Sequence, residues 1–365
     1  MAAGFRISNR EIGDDAPVYV IAELSANHNQ DFDRAVQTIK AAKNAGADAV
    51  KVQTYTPDTI TLACDRDEFR ITAGTLWDGR TLHNLYREAF MPWEWQPKLK
   101  TMAEEIGLDF FSTAFDSTAV DFLEEMGVPV HKIASFELVD IPLIQKMARS
   151  GKPLIMSTGM ATVEEIQEAV QSARAAGTTQ IALLKCTSAY PAPLEDMNLR
   201  TIPEMQRRFG VAVGLSDHSL GIAAPVAAVA LGASIIEKHV TLSHSLRGPD
   251  SAFSLEPQEF KTMVEAVRAA ERALGRVSFG AAGKQEPSKL FRRSLFAVED
   301  IRQGEEFTGN NIRSIRPGHG LHPRYLPELL GKHAAKNIQR GTPLNWDLVA
   351  SNRGSTIATS EDDPL

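Results

Sequence analysis

Eight short apolar runs, each set off from the next by a stretch of helical period, constrain this chain more than any other feature. They read VYVIAEL (18–24), DAVKVQT (48–54), DFFST (109–113), VHKIAS (130–135), PLIMSTG (153–159), IALLKCT (181–187), VAVGLSDH (211–218) and SIIEKHV (234–240). Between them lie segments such as DRAVQTIKAAKNAG, TVEEIQEAVQSARAAG and GIAAPVAAVALG, several closing on a glycine that suits a helix end. Strands that alternate with helices pair in parallel, and strands apolar on both faces are buried on both sides. Eight such units fit a (β/α)₈ TIM barrel of class α/β, expected over residues 1–275. A doubly wound open sheet is the alternative, but it usually has fewer strands, and no glycine-rich dinucleotide loop follows the first run.

One interval breaks the rhythm. The second run ends near Thr54 and the third begins near Asp109, so TPDTITLACDRDEFRITAGTLWDGRTLHNLYREAFMPWEW is too long for a simple crossover. Long ordered loops tend to carry function, and this one is expected to lay a loop and a helix over the catalytic end of the barrel. After residue 275 the pattern changes. Residues 276–293 are polar with Gly and Pro and read as a linker. Residues 294–350 carry an internal echo, DIRQGEEFTGNNI against NIQRGTPLNWDLV, with Ile-x-x-Gly at 301–304 and 338–341. Two matching strand–turn segments predict a small β-rich domain of pseudo-twofold symmetry. The small, polar tail 351–365 is expected to be disordered.

Composition narrows the function. Acidic residues number 46 against 39 basic, a net charge of −7, which argues against a general nucleic-acid or anionic-membrane surface. No apolar run approaches the ~20 residues of a membrane span, and the first residues lack a signal-peptide pattern. Cys64 and Cys186 are too few for a disulfide framework or a thiolate zinc site. The expectation is a cytoplasmic protein of two domains.

In a barrel of this kind the C-terminal strand ends converge on one site, so the polar residues there form a spatial cluster. His218 and His239 end adjacent strands, which lie ~5 Å apart, and two imidazoles at matched heights can share a divalent ion such as Mn²⁺. A pair of satisfied core histidines is the ordinary alternative. Lys51, Lys132, Lys185 and Lys238 are four cations in apolar runs, and buried lysines need anions such as a phosphate and a carboxylate. Ser135, Ser157 and Ser216 can complete a phosphate cradle, although for any one of them a turn or cap is the commoner role. One lysine could instead be a Schiff-base nucleophile. Lys238 is out of register with His239, so a lumenal His239 turns Lys238 toward the helices. Glu23 is the best carboxylate for general acid/base work and Glu137 the second. Cys186 has no histidine partner by spacing and reads as packing.

The motifs AELSANHN (22–29), VKVQTYTPDTIT (50–61), HKIASFE (131–137), MSTGM (156–160), KCTSAYPAP (185–193), GLSDHSLG (214–221), EKHVTL (237–242) and RGPDSAFS (247–254) together resemble the sialic acid synthase family. IRPGHGL (315–321) resembles the antifreeze-like (SAF) module such enzymes carry. The resemblance covers about residues 5–350. Within the family it is nearest the branch that forms pseudaminic acid, marked by the long loop after the second strand, SAYPAP and GPDSAFSLEP.

The resemblance implies metal-dependent condensation of phosphoenolpyruvate with an open-chain amino-sugar aldehyde, 2,4-diacetamido-2,4,6-trideoxy-L-altrose, releasing phosphate with C–O cleavage. It implies that Lys51, Thr113, Lys132, Ser135, Ser157, Ser188 and Ser216 hold phosphoenolpyruvate. Ser188 stands where N-acetylneuraminate enzymes typically have an Asn that contacts it. It further implies Mn²⁺, with Mg²⁺ or Co²⁺ as alternatives, on His218 and His239, and sugar contacts from Gln53, Tyr190 and Asp250. Arg316 matches an arginine that reaches the partner's sugar in a domain-swapped homodimer whose SAF domain caps the partner's active site. Phe69, Leu76, Trp77 and Phe253 are candidates for apolar contacts to the sugar's methyl and acetamido groups. Alternatives are another nonulosonic acid synthase (legionaminic or N-acetylneuraminic), a lysine aldolase, or a non-catalytic sugar- or ice-binding protein.

Overall fold

The structure, a computed structural model, describes residues 5–13 and 16–351, so the tail from residue 352 onward lies outside the described residues. The chain divides into two compact units, Met1–Gly275 and Arg276–Leu365.

The first unit is a closed barrel of eight parallel strands. They are β1 (Tyr19–Glu23), β2 (Ala49–Thr54), β3 (Asp109–Ala114), β4 (His131–Ile133), β5 (Leu154–Ser157), β6 (Ile181–Cys186), β7 (Ala212–Asp217) and β8 (Ile235–His239). Each pairs with its sequence neighbours, and β8 closes on β1 with His239 opposite Glu23. Every run expected as a strand supplies one. The physical reason is that Val, Ile, Leu and Phe on both faces must be buried twice, by the lumen inside and by helices outside.

The helices follow ordinary local rules. Asp31 caps Phe32–Asn44 by accepting from Arg34 N at 3.0 Å, and Thr162 and Glu165 form a capping box on Val163–Ala176. Ser117–Met126 ends on Gly127, whose φ of 69° is the left-handed conformation such an end needs. A short antiparallel hairpin, Phe5–Ile7 with Arg10–Ile12, reaches the strand starts: Ser8 Oγ donates to Asp109 at 2.8 Å and Arg10 pairs with Asp48. It therefore covers the barrel end opposite the site.

The second unit has its own core, built on Leu295, Ile301, Phe307, Ile312, Ile338 and Leu344 among others. Its strands β9 (Ser294–Ala297) and β10 (Ile312–Ile315) are antiparallel. The echo in the sequence is also an echo in space, because Ile301 and Ile338 exchange both backbone hydrogen bonds at 2.8 Å. Gly304 and Gly341 close the two repeats with φ of 80° and 88°, and each donates to an alanine carbonyl at 2.8 Å. In the segment read as a linker, Gly283–Phe291 winds into 3₁₀ turns.

Lys238 faces outward between β7 and β8. Its ammonium lies 2.6 Å from Asp217 Oδ2 and also donates to Ser219 O, with both charged side chains fully buried. Lys238→Met, which leaves Asp217 buried without its partner, is expected to cost about 3–5 kcal/mol of stability in chemical denaturation.

Candidate active site

A cavity of about 520 Å³ opens at the C-terminal ends of the strands. Alternation along each strand decides which side chains reach it. Glu23 and Ser25, Lys51 and Gln53, Thr113, Lys132, Ser157, Cys186, Ser216 and His218, and Glu237 and His239 all line it. Their immediate neighbours Lys185, Asp217 and Lys238 do not. Of the four lysines near strand ends, Lys51 and Lys132 face the cavity, Lys238 turns to the helices as its register against His239 implied, and Lys185 does not line the cavity. Lys185 is out of phase with Cys186 and donates to the Cys186 carbonyl at 2.6 Å, while Lys238 is spent on Asp217.

The floor is a compact ionic network. Lys51 Nζ lies 2.6 Å from Glu23 Oε2 and 3.4 Å from Glu237 Oε1, and donates to Thr113 Oγ1 at 3.0 Å. Lys132 donates to Ser157 Oγ and to Ile133 O, both at 2.7 Å. Ser216 Oγ donates to Glu237 at 3.2 Å, and Gln53 Nε2 donates to Glu23 and Ser25 at 3.2 and 3.1 Å. Burial, reinforced by the nearby Glu237, pushes Glu23 up to about 7 despite Lys51. Burial also opposes the charge on Glu237, but Lys51, Lys132 and His218 together hold it below the usual carboxylate range. Burial likewise opposes the charge on Lys51, yet Glu23 and Glu237 raise it, whereas burial lowers Lys132.

Loops complete the rim. Asp250 accepts from Ser25 Oγ and from Ala26 N, the latter at 3.3 Å. Tyr190 packs between Trp77, His218 and Phe253 with ring centroids 4.5–5.6 Å apart. Glu137 lines the cavity with a buried, unpartnered Oε2, and burial raises its carboxyl to about 7. Ser135 Oγ accepts from Gly159 N at 3.1 Å. Ser188 sits beside Ser135 at the edge of the cavity: a Cβ on Gly159 would fall 2.2 Å from Ser188 Oγ and 2.9 Å from Ser135 Oγ. Arg316 is exposed on the second unit, just after β10.

The two histidines come together as their strand positions require. The His218 and His239 rings lie 5.2 Å apart at 67°, and both line the cavity. His218 Nδ1 donates to the Thr187 carbonyl at 3.0 Å. Burial opposes a charge on His218, but Cys186, the Thr187 carbonyl and Glu237 raise its pKa above the ordinary value. Burial holds His239 well below its ordinary pKa, hence neutral, and its Nδ1 is buried without a partner. The neutral His239, with one orphaned ring nitrogen, stands beside the His218 ring on the cavity wall, a pair of donors that fits a divalent metal able to displace a proton from His218. Among the described residues no group of three or more His, Cys, Asp or Glu is arranged as a ligand set, so the protein offers two donors and leaves the other positions open.

Residues 38–279 match the NeuB family and residues 292–350 the SAF domain. The chain belongs to the NeuB family. It is 47% identical over 332 residues to the pseudaminic acid synthase of Helicobacter pylori, a match covering 91% of this chain and 97% of that one. It is 34% identical over 360 residues to the N,N'-diacetyllegionaminic acid synthase of Legionella pneumophila, covering 94% and 99%. The crystal structure of the spore coat polysaccharide biosynthesis protein SpsE from Bacillus subtilis superposes with a TM-score of 0.66 at 36% identity, covering 96% of this chain and 99% of that one.

Three features of this NeuB-family site go beyond the roles assigned from the sequence. Glu237 is in the floor because it shares the lumenal face with His239 two residues on, a signal the alternation rule already carried. Cys186 does have a histidine partner, since its Sγ is 3.8 Å from His218 Nδ1 through the pairing of β6 with β7, which spacing cannot reveal. Of the apolar candidates, Trp77 and Phe253 line the cavity but Phe69 and Leu76 do not. Ile60, Ile71, Leu82, Leu85 and Tyr86 take their place. Because Glu137 has a raised folded-state pKa, it weakens the fold as pH climbs from its ordinary value of 4.5 to about 7 and above. Glu137→Gln should therefore be about 2 kcal/mol more stable than the native chain at pH 8 and no different at pH 4.5, by denaturant titration.

Proposed function

We infer that the chain makes pseudaminic acid, condensing phosphoenolpyruvate with 2,4-diacetamido-2,4,6-trideoxy-L-altrose and releasing phosphate. The observation that carries this reading is the 47% identity over 91% of the chain to a pseudaminic acid synthase, against 34% to a legionaminic acid synthase. The site chemistry supports it. Lys51 and Lys132, with Thr113, Ser135, Ser157 and Ser216, form a cationic, hydroxyl-rich floor suited to a phosphate and a carboxylate.

Carbon three of phosphoenolpyruvate attacks the aldehyde carbon, forming the C–C bond, and the aldehyde oxygen gains a proton. Glu137, kept protonated up to about pH 7 by burial, supplies that proton from Oε2. Water adds at carbon two, and Glu23, titrating near 7, takes its proton. The C–O bond to phosphate then breaks as the carbonyl forms, and the departing phosphate takes the proton of the carbon-two hydroxyl. His218 and His239 would hold a divalent metal, Mn²⁺ or alternatively Mg²⁺ or Co²⁺, which when bound supplies Lewis-acid polarisation of the acceptor's carbonyl. Gln53, Tyr190 and Asp250 hold the sugar. Arg316 completes the site from a second copy in a domain-swapped homodimer. The reading places the reaction in the cytoplasm, where phosphoenolpyruvate is made; among the described residues no helix is long and apolar enough to cross a membrane.

Phosphate release with Mn²⁺ should be observed with the trideoxy-L-altrose and be at least tenfold slower with N-acetylmannosamine or the D-manno legionaminic precursor. Chelation, His218→Ala or His239→Ala should abolish release while the circular dichroism spectrum stays unchanged. Borohydride trapping of a substrate adduct, with release surviving chelation, would instead favour an aldolase acting through Lys132. Mixing inactive His239→Ala with Arg316→Ala should restore activity above either alone. No recovery would overturn the shared site.

A further inference from the structure

The polar floor of the cavity is roofed by the segment between β2 and β3, and apart from the hydroxyls of Thr75 and Tyr86 that roof is apolar. Its helix Leu82–Ala89, capped by Thr81, carries Leu82, Leu85, Tyr86 and Ala89 at i, i+3, i+4 and i+7. Such a stripe ordinarily packs into the core. Here all four residues line the cavity, and the buried Leu85 and Ala89 lie outside the contiguous buried cluster of the barrel. Ile60 and Ile71 extend the same surface.

The roof is built rather than draped. Ile71 N donates to Arg80 O and Gly79 N to Ile71 O, both at 2.9 Å, and Asp78 accepts from Gly74 N and Thr75 N at 2.9 and 2.7 Å. Trp77 Nε1 donates to Pro249 O at 3.2 Å, tying the segment to the loop after β8. Tyr86 packs edge-on against Tyr55 with ring centroids 5.6 Å apart, while Leu82, Leu85 and Ala89 meet the cavity, where a ligand would be their partner.

We propose that Ile71 and Leu85 determine acceptor specificity by seating the methyl end of the sugar. The proposal rests on the synthase reading above. Carbon one of the acceptor reacts at the charged floor, so the far end of its six-carbon chain projects to the roof. In the trideoxy sugar that end is a methyl group. A hydroxyl there would lose its water against Ile71 and Leu85 and find no donor or acceptor in their side chains. Discrimination of this kind is worth roughly 10²-fold in kcat/KM.

The test compares 2,4-diacetamido-2,4,6-trideoxy-L-altrose with its 6-hydroxy counterpart of identical configuration, in phosphate release by the full chain with Mn²⁺. The native protein should prefer the deoxy acceptor by roughly 10–100-fold. Ile71→Thr and Leu85→Asn should lower kcat/KM for the deoxy acceptor about tenfold or more. Both should leave the hydroxylated acceptor within about threefold and the KM for phosphoenolpyruvate unchanged, collapsing the preference. Ile71 is only partly buried, so its variant keeps the test alive if Leu85→Asn fails to fold. Equal losses on both acceptors, or an unchanged preference, would overturn the assignment while leaving the synthase reading intact. Release with no acceptor at all would overturn both.

Discussion

Lys51 stands between two carboxylates at the barrel floor, 2.6 Å from Glu23 and 3.4 Å from Glu237, with all three side chains buried. A buried charge is tolerable only when paired, and a lone cation cannot fully satisfy two buried anions. The network resolves this by splitting the carboxylates: Glu237 stays ionised, and Glu23 is driven up toward 7. Lys132 adds the second cation and orients Ser157. An anionic substrate entering this balanced floor brings charge that must be met by a proton on Glu23 or by a divalent ion beside it. On the synthase reading, the neutral His239 and the adjacent His218 would hold that ion.

The floor alone would accept many anions. Selectivity needs the roof, which the chain builds by lengthening one crossover. On the synthase reading the division of labour is physical: charge and hydroxyls from seven strands would bind what the family shares, and an apolar helix stripe from one loop would meet what distinguishes the acceptor. The hydrogen-bonded clip around Ile71–Arg80 and the tie from Trp77 to Pro249 hold that stripe in place without barrel core beneath it.

Much of this was legible in the residues themselves. The eight strands appear where the apolar runs stand, because burial on both faces leaves an unmistakable composition. The interruption between Thr54 and Asp109 does become the cover of the site. His218 and His239 meet because both end neighbouring strands. Lys185 misled, since a lysine near a strand end looks the same whichever way it points, and only the phase set by Cys186 excludes it. Strand β6 has ended before Ser188, so alternation does not place its side chain.

What the sequence by itself determined is periodic: element type, strand order, the repeat that pairs Ile301 with Ile338, and the residues available at each strand end. Such properties depend on neighbours close in the chain. Tertiary structure decided which of those residues share a space. The contact of Cys186 with His218, the charge split between Glu23 and Glu237, and the exposure of Leu85 to a cavity rather than a core all depend on barrel closure. Closure brings residues more than thirty apart within a few ångströms and removes the water that would have made them independent.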